Sequence, residues 1–561
     1  MNDSDLSNRF KIDELGADLI IINGKVVTVD KTNTTAEAIA VKNGRILQVG
    51  TKKQILRLAG EKTETIDLEG MSIYPGFIDT HEHCIRRGLQ LDWVNCGTPP
   101  NMSLQDVLNE VKKKAATKPE GEWVIGSWFD ESQWEDKRFP NRYDLDKASK
   151  VNPIYLGRAG GHNAVVNSLA LKLAGISKDT PQPQGGNIER DESGEPTGRL
   201  DEIAAMDLVR DKIPSVSEEE EVKILVANWP TLEQEYLSWG LTTIHEAHIK
   251  APQALAYQTL NKEGKLKIRV GLMLDGMTPY KGYATSDLSR QGITAPFNWS
   301  DKLYVISVKV GVDGAMGSLT AALYEDYAND PGNKGIVRCT QEELTDEIMR
   351  CHNAGIRTCT HAIGDRAIDM ALRAIETAIN SKPWLDHRHR IEHAGYVLPR
   401  QLEKIKELGV NVSASIGFCY PIGDSHIAAL GENRLKGYYP MKSFRNHGIV
   451  AAGNSDGFGT SWALTGIYGC VARKSRSGRT LAIEESLPVI DALKAYTWNA
   501  AYLEGNEETK GSIEKGKLAD FVVLDRDITT VDPAEILEAN VLITIIGGEV
   551  VYKRPVKTDS I

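Results

Sequence analysis

The run Ile73-Tyr74-Pro75-Gly76-Phe77-Ile78-Asp79-Thr80-His81-Glu82-His83 reads as a buried strand that ends in two imidazoles. Side chains two apart on a strand project to the same face, so His81 and His83 point the same way. Neutral imidazole is a good ligand for zinc and similar divalent ions, which makes a same-face pair at a strand's C-terminal end one half of a metal site. The other half must come from elsewhere in the chain.

Seven further apolar, β-branched runs follow: Leu241 to His245, Ile268 to Leu274, Tyr304 to Val310, Ile356 to His361, His389 to His393, Val410 to Ser415 and Ile449 to Ser455. They alternate with helical patterns, as a parallel sheet covered by helices does. With Gly76 to His83 they make eight, the number that closes a (β/α)8 TIM-like barrel with its active site at the strands' C-terminal ends. The count treats residues 95–235 as an inserted lobe after barrel strand 1. That stretch holds strand-like Trp123 to Phe129 and Pro153 to Arg158 and a turn-rich piece from Gly185 to Arg199, and it is expected to fold over the barrel mouth.

The chain ends have another character. Residues 19–72 read as short strands and hairpin turns, Asn23-Gly24 and Asn43-Gly44 among them, and Asp520 to Leu524 and Leu542 to Val551 repeat it. Neither end alone builds a useful core, so the two are expected to form one small β-sandwich. The fold class is therefore α/β, divided as residues 1–72 for the N-terminal part of the sandwich, 73–500 for the barrel with its lobe, and 501–561 for the C-terminal part.

Composition excludes several functions. At 561 residues the chain exceeds what one core usually supports. A formal charge of −11 argues against a nucleic-acid or anionic-membrane partner and for a small-molecule substrate. The N-terminus lacks the basic and apolar regions of a secretory signal, and no stretch has the ~18 apolar residues of a membrane span, so a cytoplasmic protein is expected. Seven scattered cysteines without Cys-x-x-Cys spacing suggest neither a disulfide framework nor a zinc finger. A homo-oligomer, most simply a dimer, is the expected assembly.

Placed on the barrel, strand 1 ends in His81 and His83, strand 4 carries Lys309, strand 5 ends in His361, strand 6 in His393 and strand 8 in Asp456. Six potential ligands gather at one mouth, and a carboxylate at the last position suits proton transfer.

The pattern Pro75 to His83, with Lys309-Val310-Gly311-Val312-Asp313-Gly314, His361-Ala362-Ile363-Gly364-Asp365-Arg366-Ala367, Arg390-Ile391-Glu392-His393-Ala394 and Asn454-Ser455-Asp456, resembles the amidohydrolase superfamily. It is most similar to the family-3 branch that includes N-substituted formamide deformylases, over residues 17 to 553. The resemblance implies His81 and His83 as ligands of a more buried metal, His361 and His393 as ligands of a more exposed one, and Asp456 as ligand and general base. It also implies that Lys309, carboxylated by carbon dioxide to a carbamate, bridges two ions; Glu246 is the alternative acidic ligand of a single-metal site. The expected cofactor is one or two divalent ions, zinc first, with iron, manganese, nickel or cobalt open. The implied reaction is hydrolysis of a linear N-acyl or N-formyl amide. A cyclic amidase or ammonia-releasing aminohydrolase, and a non-catalytic binding protein on the same scaffold, are the alternatives. His162 is the candidate oxyanion donor. Trp128 and Phe129, with Trp134 and Tyr155, could line an apolar pocket. Arg158 could face a substrate carboxylate, and Asp313 and Glu246 complete the substrate-binding candidates; Asp313 could instead pair with Lys309.

Overall fold

The computed structural model describes residues 16–555 apart from 99, 136, 160, 162, 184–185, 277–296 and 458–462. Two compact units are found within the chain, one from residues 1–86 and 222–561 and the other from residues 87–221.

The first unit contains eight parallel strands in sequential order: β1 (Phe77–Glu82), β2 (Leu241–Ile249), β3 (Arg269–Asp275), β4 (Leu303–Gly311), β5 (Thr358–Ala362), β6 (Arg390–His393), β7 (Asn411–Ala414) and β8 (Ala451–Gly453). Each falls on one of the eight expected runs. Sequential parallel pairing curls the sheet round until β8 meets β1, where Thr80 Oγ1 donates to Gly453 O (3.0 Å) and Asp456 N donates to His81 O (2.9 Å). The expected barrel is therefore present and nearly closed. β2 runs four residues beyond its expected end, which carries His248 to the mouth.

Both chain ends build the sandwich. Arg45–Gly50, Ala38–Lys42, Ala17–Ile22 and Ala59–Asp67 form one sheet. In the other, Phe521–Leu524 from the C-terminal end pairs antiparallel with Ser72–Pro75, Val523 opposite Ile73. Ile21, Ile39, Ile73, Phe521, Val523 and Ile545 fill the space between them, each contributing roughly 1.5–3 kcal/mol by leaving water. The passage from sandwich to barrel falls at Gly76, where a Cβ would lie 2.3 Å from the Thr242 side chain, so only glycine admits the close approach of the two strands.

The second unit covers residues 87–221 and overlaps most of the expected lobe of 95–235. Its six-stranded sheet includes Val124–Phe129, Ile154–Arg158 and Asn163–Val166, with Val107, Phe129, Trp134 and Leu145 in one core and Tyr155, Leu171, Met206 and Val209 in another.

A charged pair is buried in the first unit near the start of the barrel strands. Glu504 pairs with the Lys510 ammonium (2.6 Å) and accepts from His245 Nε2 (3.2 Å) and Tyr304 Oη (2.7 Å). Burial alone would raise the Glu504 carboxyl, but the Lys510 ammonium and His245 outweigh it and hold it at about 2. A carboxyl lowered from an unfolded value of ~4.3 contributes stability that is present above that value and lost as pH falls toward 2. Glu504→Gln is expected to unfold at lower denaturant than the wild type at pH 7. The gap should narrow between pH 4.5 and about 2, as measured by urea titration at stepped pH; a gap constant with pH would remove this account of Glu504.

Candidate metal centre

At the mouth the ends of β1 and β8 meet. His83 Nε2 lies 3.2 Å, and His81 Nε2 3.5 Å, from Asp456 Oδ1. One donor atom from each of these residues fits within 4.8 Å of the others. His393 lies beside them, its ring centroid 4.7 Å from that of His81, and His361 is 4.4 Å from His393. Lys309 Nζ is 2.9 Å from His81 Nε2. All six residues predicted as ligands thus converge on one mouth.

The partners of each imidazole decide which nitrogen faces the centre. His81 Nδ1 is held by Glu392 Oε2 (2.5 Å), leaving Nε2 toward Asp456 and Lys309. His393 Nδ1 contacts Ser415 Oγ (2.7 Å), which donates to Asn454 Oδ1. His361 Nε2 lies 3.0 Å from Gly314 O, so its Nδ1 is the ligating atom on offer. Such outer contacts fix ring orientation and tautomer in metal sites. Backbone strain marks the same place: Asp456 (φ 56°), His393 (φ 72°) and His248 (φ 56°) are all left-handed. Non-glycine residues hold this conformation at a cost of about 1–3 kcal/mol where the surroundings enforce it.

Electrostatics keep the ligands receptive. Burial, with Lys309 and His83 beside it, pushes the His81 imidazolium well below its ordinary value; burial with His361 and His81 does the same to His393. Both rings are therefore neutral, the form that binds a cation. Burial also lowers Lys309, against the pull of Glu392 and Asp456. Two imidazole nitrogens and a carboxylate oxygen in one small cluster, with more imidazoles adjacent, suit zinc or another divalent transition ion.

Other sequence candidates are placed differently. Phe129 is fully buried against Trp134 and Phe139 in its own unit's core, and Trp134 and Tyr155 are core residues too. Trp128 is half-buried with a left-handed backbone (φ 77°). Arg158 is committed to Glu131 (2.9 Å) and Asp130 (3.3 Å), which corrects its reading as a carboxylate anchor. Asp313 is buried and accepts from the backbone N–H groups of Ala322, Ile363 and Gly364 while lying 3.4 Å from His361 Nε2. It shapes the loop behind His361 and is available neither to substrate nor to Lys309. Glu246 accepts from the Cys84 and Ile85 backbone and from Tyr257 Oη, and burial raises its carboxyl to about 8. It stands outside the His81, His83 and Asp456 group. Its oxygens are taken up by the start of the segment after β1 and by Tyr257. His162 lies outside the described residues.

Three participants escaped the sequence reading. Glu392 and Arg390 hold His81 from behind, and their spacing on β6 was the available signal. His248 stacks on His83 (centroids 6.1 Å, 8° between planes) and its Nδ1 is 2.9 Å from Asp275 Oδ1; its place past the expected end of β2 hid it.

An eight-stranded barrel with imidazoles and a carboxylate at its C-terminal mouth defines a metal-dependent hydrolase of the barrel type. A model of the amidohydrolase family matches residues 64–552, and the chain belongs to that family. It is 33% identical over 543 residues to N-substituted formamide deformylase from Arthrobacter pascens, covering 96% of this chain and 98% of the relative. It is 31% identical over 546 residues to putative amidohydrolase YtcJ from Bacillus subtilis (strain 168), covering 95% and 98%. The crystal structure of an uncharacterized metal-dependent hydrolase from Pyrococcus horikoshii OT3 matches with a TM-score of 0.72 at 26% identity, covering 92% of this chain and 99% of that one. The chain is thus a metal-dependent amidohydrolase acting on carbon–nitrogen bonds other than peptide bonds. Among the described residues no helix is long and apolar enough to cross a membrane.

Proposed function

We propose that the chain hydrolyses a linear N-acyl or N-formyl amide of a small molecule. The observation that carries this reading is the group of His81, His83 and Asp456, with His81 fixed by Glu392; the likeness to an N-substituted formamide deformylase supports the choice of substrate class. His81, His83 and Asp456 would hold one divalent ion, zinc first, and His361 and His393 a second. Lys309, on reacting with carbon dioxide and losing a proton, would offer carbamate oxygens to both. When bound, the ion supplies an acidified water and a Lewis acid for the carbonyl.

The chain's own residues do the rest. Asp456 Oδ1 takes the proton from the attacking water and returns it to the leaving nitrogen. An amine is a poor leaving group, so the second transfer matters as much as the first. Glu392 keeps the proton of His81 on Nδ1 and so keeps Nε2 turned to the cation. His248, held by Asp275 beside His83, is placed to orient the substrate's polar end.

A panel of N-formyl amines, N-acyl amines, cyclic amides and aminated heterocycles, assayed with zinc present, tests the reading. Release of amine with formate or a carboxylic acid is the expected outcome. Ring-opened acid would favour a cyclic amidase, ammonia an aminohydrolase, and either would overturn the linear-amide assignment.

A further inference from the structure

We propose that a column of charged and polar side chains crossing the barrel interior, Lys510, Glu504, His245, Arg390 and Glu392, sets the tautomer and orientation of His81, so that Glu504 and Arg390 are positioning residues for the metal centre at the far mouth.

The column is continuous. Lys510 Nζ forms an ion pair with Glu504 Oε1 (2.6 Å). Glu504 Oε2 is 3.2 Å from His245 Nε2, and His245 Nδ1 is 3.2 Å from Arg390 Nη1. Arg390 Nε donates to Glu392 Oε1 (2.5 Å), and Glu392 Oε2 meets His81 Nδ1 (2.5 Å). Every member is at most 3% exposed except Glu504, which is 6% exposed as a residue but has a fully buried side chain. The path has to run through the barrel. His245 stands on β2 and Arg390 on β6, four strands apart in a sheet of eight, and their side chains meet only across the interior. Lys510 and Glu504 lie at the other end, beside Tyr304, the second residue of β4, and Thr243, the third of β2.

Hydrogen-bond chemistry gives the column a direction. A guanidinium only donates, so His245 Nδ1 must accept from Arg390 and its proton must sit on Nε2, facing Glu504. A carboxylate only accepts, so Glu392 takes the Nε proton of Arg390 from one side and the Nδ1 proton of His81 from the other. His81 Nε2 is then a lone pair aimed at the mouth. Reversing His245 would set donor against donor at Arg390 and acceptor against acceptor at Glu504, and reversing His81 would set acceptor against acceptor at Glu392. In a low-dielectric interior such a chain is strong when complete and costly when broken. Arg390 also donates through Nη2 to Thr80 O, one residue before His81, which ties the backbone of the ligand to the same column.

This inference rests on the metal reading of His81, and its test separates the two. The full-length chain and the variant Glu504→Leu/Lys510→Met, which removes both distant charges together, are titrated with zinc against a chromogenic chelator. Histidine tautomers are read from nitrogen-15 spectra of the zinc-free proteins. The wild type is expected to bind zinc and to carry the His81 proton on Nδ1 and the His245 proton on Nε2. The variant is expected to keep the His245 proton on Nε2, which Arg390 still dictates, but to hold the ring less firmly without Glu504 and to bind zinc about tenfold more weakly, the lower range of outer-contact losses in metal sites. A folded variant whose zinc affinity stays within about twofold of wild type overturns the column while leaving the metal reading intact, and so does a wild-type His81 protonated on Nε2. A wild type that binds no zinc overturns both. If the double variant does not fold, Glu504→Asp, which keeps the charge and withdraws it from His245, takes its place with the same expected weakening of zinc binding.

Discussion

Asp456→Asn is expected to reduce kcat/KM by about a thousandfold or more while leaving the fold and thermal midpoint near wild type, since it removes the group that accepts and returns the proton. The asparagine is nearly isosteric and its amide can still meet His83 Nε2, now 3.2 Å from Asp456 Oδ1. What it cannot do is take a proton at the pH of the assay. The effect should fall on kcat with little change in KM, because Asp456 acts in the transition state rather than in holding substrate. Circular dichroism and the melting curve check the fold. Activity retained in a folded Asp456→Asn chain would remove Asp456 from the role of base.

Arg390→Met is expected to destabilise the chain by about 3–5 kcal/mol, the usual consequence of removing one partner from a buried ion pair. Glu392 is fully buried and survives as a carboxylate because Arg390 and Lys309 outweigh the burial that would neutralise it. Methionine fills much of the vacated volume, so the loss measures the stranded charge more than a cavity. The reciprocal variant sharpens the test: Arg390→Met/Glu392→Leu removes both charges and should recover a good part of the loss in a denaturant titration. No recovery would mean that packing, not charge, is what Arg390 supplies.

The barrel was legible because buried parallel strands are written as continuous apolar runs, and the ligands because polar residues at the ends of such runs stand out. Residues whose meaning depends on remote partners were not legible. Arg390 and His245 are 145 positions apart, and nothing local to either shows that they meet inside the barrel. Glu246 and Asp313 carry the right chemistry in the right segments, yet each is consumed by nearby backbone N–H groups. The sequence holds such donors everywhere and so cannot show which carboxylates they claim. The burial of Phe129 in its unit's core was hidden for a similar reason: alternation predicts which face of a strand it occupies, but not whether that face is covered. His248 was missed because a polar mouth residue ends the apolar run and so hides the last turn of its strand.

The mouth of this barrel is expected to bind metal through His81, His83 and Asp456. The most direct test is the metal content of the purified full-length chain and of His83→Ala, by inductively coupled plasma mass spectrometry after both are loaded with zinc and desalted. One or two ions per chain in the wild type, with loss of metal in the folded variant, is the predicted result. A wild type without metal, or a variant holding as much as the wild type, would contradict it.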